Sequence, residues 1–138
     1  MIDLPKSGEV FDYPYLWSWQ ANRGETEGRK ERPSCVALVV PLRSGRHRVY
    51  MLPITTKEPT ADQVAVEVPR TEVQRAGLSR DLSQWVILSE WNREIFETSF
   101  YISETGTGHS FSRIFYKKLI AKLGEELKAG RVTTVERE

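Results

Sequence analysis

The sequence predicts a mainly β protein: a small antiparallel barrel with a short helix midway and one amphipathic helix at the end. Three observations carry that reading. Valine-rich runs too short for helices recur along the chain, with turn residues between them. Nothing of helical period separates the first three runs, so turns join them and they pair antiparallel. One stretch near the end repeats its apolar residues at every fourth position. The 138 residues suit one domain. Residues 1–130 are assigned to it, and residues 131–138 to a flexible tail.

Gly8 to Tyr13 reads as the first strand. Phe11, Tyr13, Tyr15, Trp17 and Trp19 then fall at every second position, and extended backbone would place all five rings on one side. Pro14 makes the centre of this stretch a sheet edge or a break. Residues 20–33 are polar, charged and glycine-bearing and predict a long loop, a kind that in compact domains is often functional. Phe11 and Tyr13 are expected in the core, and Trp17 and Trp19 at the mouth of this charged loop. Ser34 to Val40 is nearly continuous in apolar residues and predicts a buried central strand.

A turn over Pro41 to Arg46 leads to the hairpin partner, His47 to Ile54. Val64, Val66 and Val68 alternate within a strand over 62–68. Thr71 to Ala76 fits one or two helical turns, closed by Gly77. Gln84 to Leu88 and Ser99 to Ile102 read as further strands. Phe111, Phe115, Leu119, Leu123 and Leu127 define the stripe of the last helix. Ser110 or Ser112 can cap its start and Gly130 its end.

Composition removes several classes of function. Twenty basic and nineteen acidic residues give a net charge of +1, which excludes a generally basic nucleic-acid coat. The distribution is uneven. Residues 21–50 carry seven basic and three acidic groups, net +4, and residues 106–130 carry five and two, net +3. Residues 81–105 carry one basic and five acidic groups, net −4. Basic segments of this kind can form a focused positive surface. Cys35 is alone, so no intrachain disulfide forms, and no Cys/His cluster fits structural zinc. Neither a metal nor a cofactor is expected. No run approaches the ~20 apolar residues of a membrane helix, and the start lacks a signal-peptide pattern. A cytoplasmic protein without membrane contact is the expectation.

Several short motifs fall in a telling order. Gly8-Glu9-Val10 opens a strand. Arg23-Gly24-Glu25 and Gly28 sit in the long loop. Arg32-Pro33 leads into the valine-rich strand, and Pro53-Ile54-Thr55-Thr56 ends the next. This order resembles the MazF/PemK/Kid toxins of type II toxin–antitoxin systems. The resemblance is strongest over residues 8–56 and extends to about residue 100, where Gln84 to Trp91 stands in place of the family's late strand.

The resemblance implies an SH3-like barrel, usually a homodimer, that cleaves single-stranded RNA without metal through attack of the neighbouring 2′-hydroxyl. It implies that Arg32 stabilises phosphate charge and helps protonate the leaving oxygen, that Thr55 holds a phosphate oxygen, and that Glu25 or Glu27 takes the 2′-hydroxyl proton. Arg23, Arg29, Lys30 and Thr56 would contact the RNA. Trp17 and Trp19 make this loop more aromatic than the family's type members; at its mouth they would stack on RNA bases, or else form a dimer contact or a partner's anchor pocket. A cognate antitoxin would lay an acidic or aromatic tail across the basic loop. The loop is two residues longer than the family's, which leaves the choice between Glu25 and Glu27 open.

Elementary chemistry asks for the same groups: a proton acceptor for the 2′-hydroxyl, cations for the phosphorane, and a proton for the leaving oxygen. Arginine suits phosphate because its planar fork donates two bonds at once. Two other readings of the fold stand beside this one. The first is an RNA- or protein-binding module without catalysis. The second is a gyrase-directed toxin, which would use C-terminal residues rather than the Arg32/Thr55 pairing. His109, in a glycine-rich turn without the lysine of a phosphate loop, and His47, between two arginines, read as structural and surface residues. Cys35 reads as an inert core thiol.

Overall fold

A computed structural model describes residues 3–28, 30–102, 106 and 108–137. Its centre is the hairpin of β2 (Arg32–Pro41) and β3 (His47–Thr55), paired antiparallel with Ser34 opposite Pro53 and Val39 opposite Val49. Cys35, Val36 and Ala37 are buried on both faces of β2, which is why the sequence there is continuous rather than alternating in apolar residues. β1 (Val10–Tyr13) pairs antiparallel with the outer side of β2.

β3 serves two neighbours on its other side. Arg48 to Met51 pair with β6 (Glu90–Ile95), and Ile54 and Thr55 pair with β5 (Trp85–Ile87). Pro53 lies between the two pairings, where its lack of an N–H costs no ladder bond. β5 in turn pairs with β4 (Ala65–Glu67). The last strand, β7 (Thr133–Glu136), runs parallel to β6. The architecture is therefore a mainly antiparallel sheet of seven described strands, with one parallel pair. Its pairing does not close into a barrel: β1, β4 and β7 each pair on one side only among the described residues.

The sheet is covered on both faces. Alternation along β2 and β3 sends Cys35 and Leu52 to one cluster, with Val10, Ile54, Val86 and Leu88. It sends Val36 and Met51 to the other, with Phe11, Tyr13 and Tyr15. α3 (Arg113–Lys128) closes the first cluster with Phe115, Leu119 and Leu123, and Phe111 just before it joins them. Leu127 and Ile114 stay exposed. Ser112 caps α3 by accepting from the Phe115 N–H (3.2 Å). Its own N–H and hydroxyl donate to Glu72 (2.8 and 2.6 Å) on α2 (Arg70–Arg75), so one buried carboxylate joins the two helices. α2 ends at Gly77, whose φ of +70° is the left-handed conformation a helix stop requires.

Four expectations change. Residues 20–33 are not all loop: α1 (Ser18–Asn22) takes up the start. Ser99 to Ile102 forms no strand but comes after a 3₁₀ turn at Phe96–Thr98, and the late strand is β6 instead. Residues 131–138 are not a flexible tail through residue 137. Val135 is buried, and the N–H of Arg137 donates to the Arg93 carbonyl (2.9 Å). The Arg137 guanidinium donates to the Pro14 carbonyl (2.7 Å) and lies 4.0 Å from the Tyr101 ring centroid. Fourth, the rings at every second position do not form one strand. The strand ends at Tyr13, yet Phe11, Tyr13, Tyr15 and Trp17 still share one cluster, and Trp19 turns outward on α1. No helix among the described residues is long and apolar enough to cross a membrane.

Candidate functional site

Arg32 is the first residue of β2 and Thr55 the last of β3, so the antiparallel hairpin puts both at the same end. A cleft of about 700 Å³ opens there, and Arg32, Thr55, Thr56, Lys30, Trp17 and Trp19 all line it. These six, from three separate stretches of sequence, are the expected residues that the fold brings together. A smaller recess of about 240 Å³ adjoins it, walled by Tyr15, Trp17 and Trp19 with Gln20, Lys30 and Arg32.

The Arg32 guanidinium lies 5.0 Å from the Trp17 ring centroid, a cation–π contact. Its Nε is buried without a hydrogen-bond partner, a donor that native structures seldom leave idle. Burial lowers its pKa, and the nearby Tyr15 opposes that shift. Thr55 is buried. Its Oγ1 accepts from the Lys57 N–H (3.0 Å), and the hydroxyl proton remains to be donated.

The aromatic wall is held by β6. Asn92, fully buried, accepts from the Leu16 N–H (2.9 Å) and donates to the Leu16 carbonyl (2.7 Å). Glu90 accepts from the Ser18 N–H (2.9 Å), the Ser18 hydroxyl (3.0 Å) and the Tyr15 hydroxyl (3.0 Å). The Gln20 side chain accepts from the Trp17 N–H (3.0 Å) and closes the start of α1. Gly28 permits the loop to lie against this segment: a Cβ there would stand 2.2 Å from the Pro14 carbonyl oxygen and 2.8 Å from that of Tyr15.

Glu90 and Arg131 also line the cleft, and neither was singled out from the sequence. Burial pushes the Glu90 carboxyl above the ordinary glutamate range, and its bonds from Ser18 and Tyr15 offset this only in part. The signal for Glu90 was the alternation Glu90-x-Asn92-x-Glu94 beside Trp91, a strand period written in polar residues.

The other expected residues lie elsewhere. Glu25 and Glu27 are not in the cleft wall. Glu27 is exposed and accepts from the Tyr101 hydroxyl (2.5 Å), which raises that phenol's pKa. Arg23 is outside the wall as well and lies 5.8 Å from the Trp19 ring centroid. Arg29 falls outside the described residues. His47 bonds Glu97 at 2.7 Å, and His109 packs against Gly77. Burial pushes the Cys35 thiol up to about 12. Among the described residues, no group of three or more His, Cys, Asp or Glu side chains could hold a metal ion.

The cleft thus joins a cation with an idle donor, a hydroxyl donor and a carboxyl of raised pKa. It can bind an oxyanion and exchange a proton beside it. Comparison of the chain with family models, curated proteins and solved structures finds no match.

Proposed function

We propose that this protein is a toxin-type endoribonuclease that cuts single-stranded RNA without metal, on an SH3-like arrangement of its sheet. The observation that carries the reading is the meeting of Arg32 and Thr55 in one cleft with Lys30, Thr56, Trp17 and Trp19. The order of motifs over residues 8–56 supports it independently.

On this reading Arg32 and the Thr55 hydroxyl bind the scissile phosphate. A guanidinium remains protonated at neutral pH, so Arg32 acts through its charge as the phosphorane forms. Glu90, rather than Glu25 or Glu27, takes the 2′-hydroxyl proton. The freed oxygen attacks phosphorus, the bond to the 5′-oxygen breaks, and that oxygen takes a proton from solvent water as it leaves. The products are a cyclic phosphate and a 5′-hydroxyl end. Trp17 and Trp19 stack on bases, each stack worth ~1–3 kcal/mol. A second copy of the chain and an antitoxin protein are the partners that go with this function.

The test is cleavage of a long single-stranded RNA by purified protein in EDTA. The expected result is discrete fragments with 5′-hydroxyl ends, with Arg32→Ala lowering the rate about 10²–10³-fold, the usual cost of removing one oxyanion donor. Absence of cleavage by folded protein would refute the enzyme and leave the binding module.

A further inference from the structure

The cleft has a second basic wall. Arg131 reaches it from the connection between α3 and β7 and Thr133 from the start of β7, whereas Arg32 and Thr55 reach it from the β2–β3 hairpin. Arg131 is not a free surface side chain. Its Nε and Nη2 donate to the two carboxylate oxygens of Glu126 at 2.8 and 3.0 Å, and its own N–H donates to the Glu126 carbonyl (2.9 Å). Glu126 belongs to α3, and its side chain is 4% exposed, against 61% for Arg131. The pairing lowers the Glu126 pKa and raises that of Arg131, so both remain charged.

A guanidinium has five N–H donors. The fork-to-fork pair occupies one edge, and Nη1 remains for a ligand. Because α3 fixes the group, binding through it loses little side-chain freedom. Lys57 and Lys30 line the same cleft but lack such a fixture among the contacts described. A cleft of about 700 Å³ has the volume of a small-ligand site, ~300–1,000 Å³, which exceeds what one phosphate group fills.

We infer that Arg131 binds a second phosphate of the RNA strand, adjacent to the one held by Arg32 and Thr55. The inference rests on the RNA reading and adds to it a strand length: the cleft grips at least two consecutive phosphates.

The test is binding of a mixed-sequence, 2′-O-methyl RNA dodecamer, which cannot be cleaved, measured over a range of salt concentrations. Each phosphate neutralised on a single strand contributes ~0.7 to the slope of log affinity against log salt. Arg131→Ala is expected to weaken binding about tenfold at low salt and to lower the slope by about 0.7. The double variant Glu126→Ala/Arg131→Ala, which leaves no lone buried carboxylate to disturb the fold, is expected to do the same. A weakening without change of slope in both variants would make Arg131 a structural residue and overturn the inference. Failure of the wild-type protein to bind the dodecamer at all would instead bring down the RNA reading, and this inference with it.

Discussion

Replacing Asn92 by alanine tests how the cleft wall is built. Asn92 is fully buried and makes three hydrogen bonds: two with the main chain of Leu16, and one accepted from Arg137 Nη1 (3.1 Å). The side chain of Arg137 keeps its bond to the Pro14 carbonyl after the change, so the third bond counts for little. The Leu16 N–H and carbonyl lose side-chain partners at a residue that is 2% exposed. A buried polar group left unpaired costs about 1–3 kcal/mol, and two cost about 2–6 kcal/mol. A water entering the vacated space can restore part of this. The expected loss is therefore about 2–4 kcal/mol.

Urea unfolding followed by tryptophan fluorescence reads this loss. With a slope of ~2 kcal/mol per molar, the middle of the usual range for urea, the midpoint falls by about 1–2 M and the slope holds. On the proposed ribonuclease reading RNA affinity falls as well, because Leu16 to Ser18 carry Trp17 and Ser18 into the cleft wall. A loss below about 1 kcal/mol would refute the reasoning, since it would mean that Leu16 finds other partners without Asn92.

Two further outcomes concern the same segment. The raised pKa of Glu90 means that the folded protein holds this proton more tightly than the unfolded chain. Its contribution to stability is therefore fully present below the unfolded value of ~4.3 and is lost as pH rises through the folded pKa. Glu90→Gln should abolish that fall in a pH series of melting curves. If Glu90 is the base of the proposed ribonuclease, the same change should also remove the rise of kcat/KM with pH through that range, and an unchanged pH profile would exclude Glu90 from that role. Gly28→Ala should cost about 1–3 kcal/mol or more, because the new Cβ meets main chain rather than a movable side chain. Thermal unfolding checks this, and an unchanged midpoint would show that the loop does not depend on its contact with Pro14.

Elements with strong local signals were legible in the sequence. The run from Cys35 to Val40 is apolar on both faces, and α3 carries its stripe at helical spacing with a serine at the start. The meeting of Arg32 with Thr55 was legible too, since a short hairpin fixes which strand ends are neighbours. β6 was not, because only Trp91 among its buried residues is apolar: Glu90, Asn92 and Glu94 fill the opposite face, and a search for apolar alternation passes over them. β7 was missed for a related reason. Only Val135 is apolar in it, and its hold depends on Arg137 reaching Pro14 and Tyr101, contacts made across more than thirty residues of sequence. Arg131 fell in the same stretch and was set aside with it.

The polar side of β6 has a counterpart in the aromatic stretch before α1. The Tyr13 hydroxyl donates to Glu94, the Leu16 main chain pairs with Asn92, and the Tyr15 hydroxyl and Ser18 donate to Glu90. The rungs run in opposite directions along the two segments, so the rings that looked like a plain apolar stripe are also fastened by their polar atoms. Two of the acidic groups that made residues 81–105 net −4 are buried in this ladder rather than solvated. Its last rung, Glu90, also lines the cleft, where Asp62 is a second carboxyl. Structure and chemistry therefore meet at one residue, and Glu90 variants alone cannot separate them. Asn92, one rung away and outside the cleft lining, supplies the comparison: loosening the wall should move affinity without moving the pH profile. Removing the Glu90 charge should move the profile while Tyr15 and Ser18 keep an isosteric partner in glutamine.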